Sequence, residues 1–165
     1  MSQSRSQSKS RGGRERVRMS RSEIDSFLED SMKVQVATVG PDGTPHLATL
    51  FYVMQDGLLA FWTYGSSQKI KNLERDPRIT CLVEDGEDYF ELRGVSVTGT
   101  AELVRDESGI RKIGTAVASR MARGVDLGEI GEAEVERQVP KRVGVLVTPA
   151  KVASWDHSKM IDPSD

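Results

Sequence analysis

Apolar and polar positions alternate with a period of two over much of this chain, the pattern of half-buried strands. Lys33–Val39 is rich in Val. Pro45–Met54 places Leu47, Thr49, Phe51 and Val53 on one face and His46, Ala48, Leu50 and Tyr52 on the other. Gly40-Pro41-Asp42-Gly43-Thr44 separates these runs and Gln55-Asp56-Gly57 follows the second, and both are turn signals. Leu58–Tyr64 is a third strand with an aromatic end, and Arg78–Glu84 a fourth, closed by a turn at Asp85-Gly86-Glu87-Asp88. Tyr89–Val104 is long for one strand, and Gly94 and Gly99 within it predict bends or bulges. Arg142–Trp155 is the sixth, interrupted at Pro149.

The period changes to that of a helix in a few short stretches. Ser20-Arg21-Ser22-Glu23 fits a capping box, after which Ile24, Phe27 and Leu28 share a face. Ser66 fits an N-cap for a helix over Ser67–Arg75 with Ile70 and Leu73 inward, ended by Asp76-Pro77. Asp106–Arg120 carries Ile110, Ile113 and Val117 on one side. Residues 121–131 read as a loop, and Glu132–Gln138 as another helical turn or two stopped by Pro140. Six strands in antiparallel succession exclude the βαβ alternation of a parallel sheet. The expectation is a mainly β protein, a six-stranded antiparallel barrel with short helices, whose closure removes exposed edges.

Composition divides this picture in two. With 165 residues the chain is long enough for one domain, expected over residues 20–160. Residues 1–19 are poor in apolar side chains and rich in Ser and Arg, and are expected to be a disordered basic tail; residues 161–165 form a short C-terminal tail. The formal charge of −2 is unevenly placed, because residues 1–18 carry +5 and the remainder −7. A basic arm of this kind can touch nucleic acid, but it has no aromatic residue to stack on bases, so nucleic acid is not the expected partner. Cys81 stands alone within an apolar strand and excludes an intrachain disulfide. No apolar run reaches the ~20 residues that span a bilayer, and a cytoplasmic location is the expectation.

Hydrolytic and metal chemistry find little support. The two histidines, His46 and His157, lie far apart, no metal-ligand spacing exists, and no metal site is expected. Asp156-His157-Ser158 holds the letters of a triad, but sequence neighbours cannot adopt that spatial arrangement. No Gly-rich nucleotide fingerprint is present. No catalytic residue is assigned. The informative stretch is Trp62-Thr63-Tyr64-Gly65-Ser66-Ser67-Gln68-Lys69, where a strand ends, the chain turns, and a helix begins at once. Free backbone N–H groups, the positive end of the helix dipole, two hydroxyls and an ammonium would converge there on one anion. The competing reading is an ordinary Ser cap followed by a solvated Lys.

The order of these features resembles the pyridoxamine-5'-phosphate-oxidase-like split-barrel family, in its branch of deazaflavin-dependent reductases. The matching stretches are Val36-Ala37-Thr38-Val39 with Pro41–Pro45, Ser66–Lys69, Lys71–Arg78, Gly94–Glu102 and Ser154–Lys159. The resemblance implies a homodimer of split barrels with two cofactor sites at the subunit interface. It implies a cofactor phosphate at Ser66, Ser67, Gln68 and Lys69. Trp62 and Thr63 would lie along the ribityl chain and ring, His46, Ala48 and Thr49 beside the ring, and Trp155 would reach into the partner's site. For Trp155 the alternative is an aromatic plug at the barrel end. It further implies an oxidoreductase that transfers hydride to an unsaturated or quinone-like small molecule, with coenzyme F420 favoured and FMN as the alternative. A non-catalytic flavin-binding or sequestering protein is the alternative of another class. Relatives that bind FMN often carry Arg where this chain has Gln68, and many have an Arg-rich strand in place of His46–Leu50. These departures argue against pyridoxine-phosphate oxidation itself.

Overall fold

The computed structural model describes residues 12–161. Helix α1 (Arg21–Asp30) opens with the expected capping box: Ser20 accepts from the Glu23 N–H, and the Glu23 carboxylate accepts from the Ser20 N–H. Strands β1 (Lys33–Val39), β2 (Pro45–Phe51), β3 (Val53–Gln55) and β4 (Leu58–Tyr64) follow. Then come α2 (Gln68–Arg75), β5 (Arg78–Asp85), β6 (Arg93–Val104), α3 (Glu107–Met121), α4 (Gly128–Gln138) and β7 (Arg142–Asp156). The seven strands form one antiparallel sheet in the order β2-β1-β5-β6-β7-β4-β3, curled into the split barrel.

The strand count exceeds the expected six because Pro45–Met54 is not one strand. It breaks at Tyr52, and its two pieces lie at opposite edges of the sheet. Tyr52 is fully buried; its hydroxyl donates to the Leu28 carbonyl at 2.6 Å and its N–H to the Met32 carbonyl at 3.3 Å. The Arg120 guanidinium lies 4.9 Å above the Tyr52 ring and donates to the carbonyls of Leu28, Glu29 and Ser31. These bonds satisfy groups that a helix C-terminus leaves without intrahelical partners. Burial pushes the Tyr52 hydroxyl up to about 12, so it stays a donor.

Other boundaries move for local reasons. The stretch expected to start a strand at Tyr89 first makes a 3-10 turn over Tyr89–Glu91, and β6 begins at Arg93. Helix α4 begins at Gly128, inside the expected loop. Strand β7 runs on through Pro149. The ladder with β6 shifts there: Gly99 pairs with Pro149 and Thr98 with Lys151, so Ala150 is left over as a bulge. Gly99 is required at this point, since a β-carbon would overlap the Thr148 carbonyl. Order reaches further toward the N-terminus than Ser20. Residues 12–16 are helical, Met19 is in the core, and the Val17 carbonyl accepts from the Asp156 N–H at 2.7 Å. The rest of the expected basic tail, residues 1–11, lies outside the described residues, as does 162–165.

The core fills the curl of the sheet. Val34, Val36, Phe61, Ile79, Cys81, Val83, Val95, Val145 and Val147 line it, joined by Phe27 and Leu28 of α1 and Ile70 and Leu73 of α2. Cys81 is plain core, its thiol pushed up to about 12 by burial. A smaller cluster of Ile113, Val117, Val53 and Ala60 seats α3 on the opposite face of β4 and β3. Tyr52→Phe removes one donor from Leu28, whose carbonyl keeps Arg120. The expected loss is about 1 kcal/mol of unfolding free energy, measured by urea denaturation.

Candidate functional site

Strand β4 delivers the chain to the candidate site. A turn closed by the Ser67 N–H on the Tyr64 carbonyl, at 3.0 Å, spans residues 64–67. The helix therefore starts one residue later than expected, and Ser67 rather than Ser66 is the N-cap. Ser67 makes no side-chain capping bond; its Oγ is buried without a partner among the described residues. A buried hydroxyl of that kind costs free energy unless something completes it. Ser66 is exposed on the turn.

Lys69 points back toward the strand end. Its Nζ donates to Thr63 Oγ1 at 3.2 Å, and Thr63 is buried. Burial, reinforced by the charge of Arg142, lowers the Lys69 ammonium below the usual lysine value. Arg142, which no motif in the sequence singles out, stands beside it. It opens β7, pairs with Tyr64 in the sheet register, and lies 3.8 Å from the Tyr64 ring and 5.1 Å from the Trp62 ring. Its Nε donates to Gln138 at 3.2 Å. Neither Lys69 nor Arg142 forms an ion pair among the described residues. Two uncompensated cations therefore flank the end of β4. Nothing local marks Arg142 in the sequence, since the pairing of β4 with β7 spans almost eighty residues.

The expected site residues do not all meet. Thr63, Ser66, Ser67 and Lys69 gather at the turn. Gln68 also stands there, but its amide donates to Asn72 Oδ1 at 2.9 Å, and buried Asn72 donates to Thr38 at 3.0 Å. Trp62 is on the opposite face of β4 from Thr63, under α3; a β-carbon at Gly114 would overlap its ring. His46 pairs with Thr38 across β1 and β2, at the end of the barrel that Asn72 ties to α2. Its Nδ1 is buried without a partner among the described residues. Ala48 shares the face of His46, while Thr49 faces outward. Trp155 lies at the other end of β7 from Arg142, its ring packed across Gly94 on the outer face of the sheet.

That outer face holds a cleft of about 690 Å³ that includes Thr49, Gln35, Leu82, Glu84 and Asp156. It does not include the turn at Ser66–Lys69. Among the described residues no group of three or more His, Cys, Asp or Glu could hold a metal ion. Nor, among the described residues, is any helix long and apolar enough to cross a membrane.

The depressed Lys69 ammonium carries a pH signature. Between its folded value and the usual lysine range the unfolded chain holds a proton that the folded chain does not, so stability rises with pH there. The Lys69→Met variant lacks this term. The melting temperature of the wild type should therefore rise relative to Lys69→Met as pH increases from 7 through the lysine range, read by thermal unfolding at each pH.

Comparison with known proteins places this geometry. The family model described as pyridoxamine 5'-phosphate oxidase matches residues 20–156. A conserved hypothetical protein of Mycobacterium tuberculosis, Rv2991, is 40% identical, with 90% of this chain and 92% of that chain covered and a TM-score of 0.82. An F420 reductase is 25% identical over 78% of this chain and 94% of its own, with a TM-score of 0.59. A FAD-binding protein of Mesorhizobium loti shares the fold at 19% identity, covering 82% and 94% of the two chains with a TM-score of 0.62. No curated protein is similar in sequence. With the model spanning nearly all of the barrel from the capping box of α1 to the last residue of β7, the chain belongs to the pyridoxamine 5'-phosphate oxidase family of split barrels.

Proposed function

We propose that this chain is an oxidoreductase that binds a flavin-type cofactor through the turn at Ser66–Lys69, with coenzyme F420 preferred to FMN. The observation that carries the reading is the start of α2. A buried, unpartnered Ser67 hydroxyl stands beside Lys69, with Arg142 as a second uncompensated cation nearby. These groups fit a phosphate. The hydroxyl gains the partner it lacks, and an anion offsets the cost of holding Lys69 charged in a partly buried place. Gln68 is turned away to Asn72 and leaves the grip to Lys69 and the backbone N–H groups of the turn. Similarity to an F420 reductase along 78% of the chain supports the deazaflavin.

When bound, such a cofactor supplies hydride transfer, here to an unsaturated or quinone-like substrate. The chain supplies orientation. Thr63 holds Lys69 in place from the inner face of β4, and the Asn72–Thr38 bond fixes α2 against the strand opposite His46. The proton for such a step would come from solvent or from a side chain such as His46 or Tyr64. Trp155 stands away from the turn in its own chain, so its contribution to a cofactor site requires a second copy. The outer face that carries it also exposes Leu47 and Phe51 on β2, which suits a homodimer.

Fluorescence titration of the purified protein with F420 and with FMN tests the reading. Lys69→Ala should weaken the preferred cofactor by about 1–3 kcal/mol, as for a charged hydrogen bond. Unchanged affinity would remove Lys69 from the site, and binding of neither cofactor would overturn the assignment. Turnover with the reduced cofactor separates catalysis from sequestration.

A further inference from the structure

A second place in the molecule is shaped for a ligand and lies outside the phosphate turn. A groove of about 420 Å³ runs between α3 and α4. Trp62 forms part of its wall, with Val117, Met121, Leu127 and Val135, and Arg142 stands at its edge. Its size is that of small-molecule sites, which combine apolar walls with few polar groups. Met121 and Leu127 are each about half exposed, at 48% and 50%. Their apolar surface is thus left in water beside an aromatic wall.

The charges identify the occupant. Arg142 is held rigid without an ion pair: Tyr64 stacks beneath it, and Gln138 takes its Nε. That leaves both Nη groups without hydrogen-bond partners among the described residues, in the planar fork that matches a carboxylate. Glu134, the one carboxylate on the groove among the described residues, is already engaged by Arg137 at 2.7 Å and Gln138 at 2.9 Å. Lys69 adds positive charge close by and does not line the groove. We infer that this groove binds a small amphipathic carboxylate, its apolar chain or ring against Trp62 and its carboxylate on the Nη groups of Arg142. The groove shares Arg142 with the flavin reading, but its apolar walls lie on the other face of β4 from Thr63 and Lys69, and it includes neither Ser67 nor Lys69.

Decanoate and decanol are suitable probes, titrated by calorimetry into the full-length protein below their aggregation limits. Decanoate should bind saturably and at least tenfold tighter than decanol. Arg142→Gln should weaken decanoate tenfold or more and leave decanol within twofold. Met121→Glu, at an exposed position, should weaken both by adding a carboxylate among the apolar walls, with the melting curve confirming an intact fold. Trp62 should report the event by a change in fluorescence that Trp62→Phe abolishes. Equal affinity for decanoate and decanol, or no effect of Arg142→Gln, would overturn the inference. So would the absence of saturable binding. A loss on Lys69→Ala as large as that on Arg142→Gln would overturn it too, by placing the carboxylate at the α2 turn. The F420 and FMN titrations read the other site, so failure here leaves that reading standing.

Discussion

One segment of chain serves both edges of the sheet, and the bend at Tyr52 makes this possible. Strand β2 ends the sheet on one side and β3 on the other, and a single residue joins them. The barrel is thus closed covalently at Tyr52 in addition to the ladders between strands. The bend is costly unless its polar groups are satisfied, because a buried backbone leaving one ladder for another has donors and acceptors to place. The C-terminal end of α1 and Arg120 of α3 satisfy them together. Two helices distant in sequence are thereby fastened to the closure, and everything placed by the curl, including the turn at the end of β4, follows from it.

The candidate site holds unfavourable electrostatics in a partly buried place. Elsewhere several exposed charges are paired: Arg78 with Asp76, Arg93 with Asp85, Arg137 with Glu134. Such surface pairs contribute little each, but they show what the chain does with charge when nothing else is asked of it. At the end of β4 the two cations have aromatic rings and a hydroxyl for neighbours instead. A group kept charged, half-buried and uncompensated is a familiar mark of a functional site.

Most of the fold was legible from alternation and turns. The capping box at Ser20, the hairpin turns and the bulge near Gly99 all stand where the residues put them. What was illegible depends on contacts remote in sequence. Alternation through Phe51, Tyr52 and Val53 gives no sign that the strand breaks, since the break is fixed by Leu28 and Arg120. The shift of the N-cap from Ser66 to Ser67 is set by one turn bond to Tyr64, and either serine suits a cap by type. At the site, the serines and Lys69 were visible because they are contiguous. Arg142 was not, and adjacent Trp62 and Thr63 read as partners although the pleat sends them to opposite faces.

The bulge at Ala150 separates two stretches of β7 with different neighbours. Before it, β7 is paired on both sides, with β4 and β6; beyond it only β6 remains, until residues 17–19 meet the strand near its end. From Pro149 to Ala153 the outer side of the strand is an open edge among the described residues, a template on which another chain could add a strand. The residues there blunt it. Pro149 has no N–H to offer, Lys151 brings charge, and the extra residue twists the strand away from a flat approach. Association through this edge is therefore discouraged, and recognition is left to the face of the sheet, where side chains rather than bare backbone decide what is bound.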